Sequence, residues 1–205
     1  MKLFYSPGAC SLSPHIVCRE AGLPLELVKV DLKAKKYDGG GDFLKINSKG
    51  YVPALQLDSG QVLTEGPAIV QYLADQKPDA RLAPKSGSFE RSQLQEWLNF
   101  ITSELHKGFS PLFKPNTPDE YKRISRENLS NRIEWLDKQL DGKDYLMGST
   151  FSVADAYAFT VLSWSKPLQF DLSRWPNVTA YLARVGARPK VQEALRSEGL
   201  LKQAA

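Results

Sequence analysis

The sequence predicts an α/β half followed by an all-α half, and three observations carry that reading. Strand and helix signals alternate in the order βαβ then ββα as far as Ala80. From Ser88 onward strand signals vanish and only helical periodicity remains. Between the two regimes runs Arg81-Leu82-Ala83-Pro84-Lys85-Ser86-Gly87-Ser88, a linker by its composition. The 205 residues suit two small domains, expected over 1–80 and 88–205.

In the first half, Lys2-Leu3-Phe4-Tyr5 is a short strand closed by Ser6-Pro7-Gly8. Ser13-Pro14 offers a helix cap with proline at the first helical position, and a helix over 15–21 stops at Gly22-Leu23-Pro24. Leu25-Glu26-Leu27-Val28-Lys29-Val30 alternates largely as a strand does. Strand, helix, strand at this spacing implies parallel strands joined by a right-handed crossover. A polar passage rich in lysine and glycine follows over 33–41. Segments 52–57 and 61–64 are strands around the hairpin signal Asp58-Ser59-Gly60, and Pro67 opens a helix through Ala68-Ile69-Val70-Gln71-Tyr72-Leu73.

The second half is helical throughout. Over 89–112 the apolar positions Leu94, Trp97, Leu98, Ile101 and Leu105 form a stripe, and 118–140 repeats it through Tyr121, Ile124, Leu129, Ile133, Leu136 and Leu140. Shorter helices are expected over 152–165, 176–184 and 189–196. Ser152-Val153-Ala154-Asp155 is a capping-box string before an apolar run, which marks a helix start rather than an active site.

Composition excludes several function classes. Hydrophobic residues at 42% and charged residues at 24% are ordinary globular usage, which argues against disorder and fibrous repeats. The excess of 27 Lys+Arg over 23 Asp+Glu is mild, and no basic stripe with interleaved aromatics marks a nucleic-acid face. The apolar stretch over 145–164 carries Asp155 in its middle and reads as a buried helix, not a membrane span. Two cysteines cannot staple a secreted scaffold, and Pro7 cuts the first apolar run too early for a signal-peptide core. A soluble chain in the reducing cytoplasm is expected.

Four places carry chemistry. Cys10 stands in the turn before the first helix, where the dipole and unpaired N–H groups favour a thiolate with a pKa below the roughly 8.5 of a free thiol. Its other reading is a small buried hydrophobe. Cys18, two turns further along, is out of disulfide reach in a regular helix. Val52-Pro53 begins a strand; most X–Pro bonds are trans, whereas a cis bond would leave the Val52 N–H and C=O open to an extended peptide. Glu65-Gly66-Pro67 is a second strand-to-helix entry, where Gly66 N–H suits a carboxylate and Glu65 an ammonium group, or where an acid simply favours an ordinary helix start. His106, three residues after Ser103 on one helical face, could donate to or carry charge near a thiolate, although a lone helical histidine is more often structural. Asn99 and Glu104 lie within two turns of it. The two histidines and two cysteines fit no metal-ligand spacing.

In combination the strings Phe4-Tyr5-Ser6-Pro7-Gly8-Ala9-Cys10-Ser11, Asn47-Ser48-Lys49-Gly50-Tyr51-Val52-Pro53-Ala54-Leu55, Leu63-Thr64-Glu65-Gly66-Pro67-Ala68-Ile69 and Phe151-Ser152-Val153-Ala154-Asp155 resemble the cytosolic glutathione S-transferases, most closely the bacterial beta class. The resemblance spans essentially the whole chain and implies a thioredoxin-like first domain, with a helical domain bearing the electrophile side and dimer contacts. It implies that Cys10 faces the glutathione sulfur, that Lys35 meets the glycyl carboxylate, and that Val52, before a cis proline, pairs with the cysteinyl backbone. Glu65 and Gly66 would hold the γ-glutamyl end. Asn99, Ser103, Glu104, Leu105 and His106 match contact positions on the first long helix, some of them reaching the site of a dimer-related subunit. The family often has serine where this chain has Gly66, which leaves only a backbone N–H there. The expected activity is conjugation of glutathione, the co-substrate, to small hydrophobic electrophiles by a homodimer, with thiol transfer or reduction through Cys10 beside it. An apolar electrophile site is expected near Phe109, Phe113 or Trp164, and Tyr5 is the rival to Cys10. A non-catalytic ligand carrier or interaction module on the same fold is the alternative, since fold alone does not fix function.

Overall fold

In the computed structural model, which describes residues 1–201, β1 (Lys2–Tyr5) and β2 (Glu26–Asp31) run parallel with α1 (Leu12–Ala21) as their crossover. Serine and proline at the helix start act differently from the expectation. The helix begins at Leu12, Pro14 lies within its first turn, and Ser13 Oγ donates to the Cys10 carbonyl at 2.8 Å. Proline costs nothing there, because first-turn N–H groups have no intrahelical acceptor.

The polar passage after β2 folds into two short strands, β3 (Lys36–Tyr37) and β4 (Gly41–Asp42), which the sequence pattern did not reveal. Two-residue strands are too short to show a period. Then β5 (Ala54–Gln56) pairs antiparallel with both β1 and β6 (Val62–Thr64), giving the order β4-β3-β2-β1-β5-β6. Phe4 sits in register with Val28 and Ala54, and these join Val30, Phe43 and Val52 in one buried cluster. Leu3 and Leu55, also paired in register, turn to the opposite face and are fully buried. Both faces of the sheet are therefore covered. Helix α2 (Gly66–Asp75) packs against α1 through a face that buries Ile69, Val70 and Leu73.

The second unit, Pro84–Ala187, is built from α3 (Phe89–Phe100), a π-helical segment Ile101–His106, α4 (Lys107–Phe113), α5 (Asp119–Gln139), α6 (Val153–Leu162) and α7 (Pro176–Gly186). The expected single helix over 89–112 is thus interrupted at its centre. Thr102 Oγ1 donates to the Leu98 carbonyl at 2.8 Å and Ser103 Oγ to the Asn99 carbonyl at 3.0 Å, so side-chain hydroxyls serve carbonyls beside the widened turn. All ten residues of α6 are buried, which makes it the axis of this unit.

Helix α8 (Pro189–Ser197) groups with Met1–Ala83 in one compact unit, while the expected second domain ran over 88–205, of which the last four residues lie outside the described ones. Arg188 Nε and Nη2 donate to the two Glu20 carboxylate oxygens at 2.7 and 2.8 Å, and α8 packs on α1. Among the described residues no helix is long and apolar enough to cross a membrane.

Candidate active site

Cys10 is presented by a loop that a serine staples. Ser11, fully buried, accepts from the Ser6 N–H and donates to the Ser6 carbonyl, both at 3.2 Å. The half-buried Cys10 thiol then donates to the Val52 carbonyl at 3.3 Å. Two of the expected residues, 42 positions apart, thus meet. Cys18 differs in kind: it is buried, and that burial pushes its thiol up to about 12. The Tyr5 phenol is also pushed up, first by burial and then by the Glu198 and Asp38 carboxylates, so it remains an O–H donor.

The Val52–Pro53 peptide is cis, against the trans bond that base rates alone favour. Ahead of it, buried Asn47 shapes the turn: its Nδ2 donates to the Tyr51 carbonyl at 2.7 Å, and its own carbonyl accepts from Gly50 N–H at 2.9 Å. Lys35 reaches this turn and donates to the Gly50 carbonyl at 2.6 Å. Gly50 has φ +72°, a backbone conformation that strains an L side chain, and a Cβ there would also crowd Leu44 at 3.2 Å, so glycine is favoured.

Lys35 (φ 57°) and Glu65 (φ 71°) are two of the four described non-glycine residues held in the left-handed region. Such backbone costs about 1–3 kcal/mol each and persists where the surroundings over-determine it, often at ligand sites. Glu65 directly precedes α2, and its carboxylate takes the Lys49 ammonium and the Tyr51 hydroxyl, the latter at 3.2 Å. The Lys49 ammonium is held above its usual range chiefly by that hydrogen bond. This pair is exposed and therefore screened, so it shapes the field more than it stabilises the fold. The starts of α1 and α2 lie side by side: a Cβ on Gly66 would be 4.0 Å from Ser13 Oγ, with nothing nearer. At the α1 start the Leu12 and Ser13 N–H groups donate to the Ala9 and Cys10 carbonyls, and at the α2 start the Ala68 and Ile69 N–H groups donate to the Glu65 carbonyl. The positive dipole ends of two helices converge there, an arrangement suited to an anion.

Asn99, Ser103, Glu104, Leu105 and His106 belong to the second unit. Asn99 and Ser103 are exposed, and Glu104 accepts from Arg132 Nε at 2.7 Å. Leu105 is fully buried, so its side chain is a core group and only its backbone is left to meet a ligand. Half-buried His106 places Nδ1 2.7 Å from the Tyr157 hydroxyl, with its ring edge-on to Trp164 at 4.8 Å. Phe113, 48% exposed, stands edge-on to the same indole at 5.6 Å. Phe109 is fully buried and packs on Trp164 and Phe170, so of the three aromatics expected to line an apolar site it alone is core.

Sequence reasoning passed over several residues. Lys49 and Tyr51 sat inside a quoted string without a role, although two polar side chains in i, i+2 register before a strand share a face. Glu198 carried no local signal, yet it accepts from Gly8 N–H at 2.9 Å in the Cys10 loop and from His15 Nδ1 at 2.9 Å. Asp155 does more than cap α6. Besides closing the capping box it accepts from Leu146 N–H at 2.9 Å and from the Tyr181 hydroxyl at 3.0 Å, while burial pushes its carboxyl up. Among the described residues no group of three His, Cys, Asp or Glu side chains is placed to hold a metal.

Comparison with known proteins gives consistent findings. The glutathione S-transferase N-terminal domain family matches residues 8–76, and the glutathione S-transferase C-terminal domain family matches 100–189. The glutathione S-transferase GstA of Escherichia coli O157:H7 is 48% identical over 200 residues, covering 98% of this chain and all of that protein. A sphingomonad glutathione S-transferase complexed with glutathione superposes with a TM-score of 0.94 at 50% identity, over 98% of this chain and 100% of its own. The beta class enzyme of Sphingomonas chungbukensis gives 0.95 at 52%, with the same coverage.

Proposed function

The chain belongs to the glutathione S-transferase family, and from that premise we propose that it conjugates the glutathione thiolate to small hydrophobic electrophiles, as a cytoplasmic homodimer of the beta class type. The observation that carries the reading is the contact of the Cys10 thiol with the Val52 carbonyl beside the paired starts of α1 and α2. A cysteinyl backbone laid along Val52 brings its sulfur to Cys10. The γ-glutamyl carboxylate then meets the N–H of Gly66, its ammonium meets Glu65, and the glycyl carboxylate meets Lys35.

In conjugation the bound thiol gives its proton to solvent. The sulfur forms a C–S bond to an aryl carbon, and the carbon–halogen bond breaks as halide leaves with the electron pair. Hydrogen-bond donors around the sulfur favour its anion in the ground state. Trp164 and Phe113 offer the apolar electrophile its surface.

Cys10 supports a second reaction, because its half-buried thiol is in no disulfide. Its sulfur attacks a mixed disulfide R–S–SG, forming Cys10–S–SG and releasing R–S⁻. A glutathione thiolate then displaces Cys10 and leaves oxidised glutathione.

Retention on immobilised glutathione, with elution by free glutathione, tests the binding claim. Folded protein that passes through unretained would refute it.

A further inference from the structure

The carboxylate that receives the γ-glutamyl ammonium in the reading above already holds a cation of this chain. We propose that Lys49 is a resident stand-in for that ammonium, a specificity-determining residue that competes with it and so sets how strongly the site selects ligands that carry one. The inference rests on the role given to Glu65 above.

Every residue in the argument lies within the first unit. Lys49 Nζ donates to Glu65 Oε1 and, at 2.9 Å, to Thr64 Oγ1. The Tyr51 hydroxyl donates to the same Glu65 oxygen at 3.2 Å. A lysine ammonium and the α-ammonium of a peptide are one functional group, each a compact cation with three donors. Both seek the Glu65 carboxylate, and two like charges beside it repel each other, so the arrival of one loosens the other.

The two partners are held very differently. Glu65 is fixed through its backbone: it stands at φ 71° directly before α2, and its carbonyl accepts the Ala68 and Ile69 N–H groups at 3.1 and 3.0 Å. Lys49 carries its charge on a flexible four-carbon stem, and its side chain is 42% exposed. Its ammonium can turn to solvent, or keep Thr64 while giving up Glu65, without the carboxylate moving. An exposed ion pair is weak, so a ligand cation displaces it at little cost. A ligand that lacks the ammonium leaves the Lys49 pair in place and therefore loses less than it would beside Glu65 without Lys49.

Calorimetry of the full-length protein with glutathione and with glutaryl-cysteinylglycine, which differs only in lacking the α-ammonium, tests this. Wild type, Lys49→Met, Lys49→Gln and Lys49→Arg are compared in reducing buffer at one ionic strength. The readout is the ratio of the two Kd values, because loss of a cation weakens both anionic ligands alike and cancels in the ratio. Wild type should prefer glutathione, and Lys49→Met and Lys49→Gln should widen that preference roughly 2- to 5-fold. Lys49→Arg, which keeps the charge, should stay near the wild-type ratio. Adding Glu65→Gln to Lys49→Met should bring the ratio toward one. An unchanged or narrower preference in both folded neutral variants overturns the inference. A wild type that binds the two ligands equally overturns instead the role given to Glu65, and one that binds neither overturns the glutathione reading, so the failures are told apart.

Discussion

Cys10 Sγ donates to the Val52 carbonyl at 3.3 Å, so the thiol of one loop and the backbone of another form a single surface. Cys10→Ala is expected to abolish formation of the glutathionyl adduct with oxidised glutathione, read by intact mass, while conjugation of an aryl halide falls less than about 10-fold. The reverse pattern, with Tyr5→Phe crippling conjugation and Cys10→Ala changing neither activity, would give the sulfur-facing role to Tyr5.

Gly66→Ser should be accepted without strain. Gly66 is not among the positive-φ residues, and the nearest atom to a new Cβ is Ser13 Oγ at 4.0 Å. A hydroxyl there adds one hydrogen bond to a charged carboxylate, so calorimetry should show glutathione binding about 5- to 10-fold tighter, on the order of 1 kcal/mol. Weaker binding by the folded variant would place the γ-glutamyl end elsewhere.

Cys18 sets a pH dependence of stability. Burial raises its folded-state thiol from 9.0 to about 12, so above pH 9 the unfolded chain loses a proton that the folded chain keeps. Its contribution is fully present below that point and is lost as pH rises toward about 12, by up to roughly 1.4 kcal/mol per unit. Urea midpoints should fall more steeply between pH 9 and 11 in the wild type than in Cys18→Ala, whose baseline is lower from the lost packing. Parallel curves would show that the thiol does not stay protonated on folding.

Asp155→Ala should cost about 3 kcal/mol or more, above the roughly 0.5–2 kcal/mol of a helix cap. It strands the Leu146 and Ser152 N–H groups and the Ser152 and Tyr181 hydroxyls, all of which donate to this one buried carboxylate. Glutathione affinity of the folded fraction should stay within about twofold. A melting temperature like that of Ser152→Ala would show that the extra donors carry no weight.

Local patterns made much of this legible. The crossover between β1 and β2, the hairpin of β5 and β6 and the capping box each depend on residues near one another in the chain, so spacing alone reveals them. The site strings carried Cys10, Val52, Glu65 and Gly66, which the fold brings into one unit. What stayed hidden depends on distant partners. Glu198 meets Gly8 across 190 positions, and α8 returns to α1 although its sequence is as helical as its neighbours. The π-helical segment was equally invisible, because an apolar stripe of helical period continues through it while the Tyr157 contact lies 51 positions from His106.

The central claim is that glutathione is activated here for attack on an electrophile. The most direct measurement is the initial rate of aryl-halide conjugation against glutathione concentration, with halide release followed in parallel. A rate that saturates in glutathione, with one halide released per conjugate and a marked rise in KM for Glu65→Gln, is the expected result. A folded, glutathione-binding protein whose rate matches the uncatalysed reaction at every concentration would contradict the claim and leave a ligand carrier.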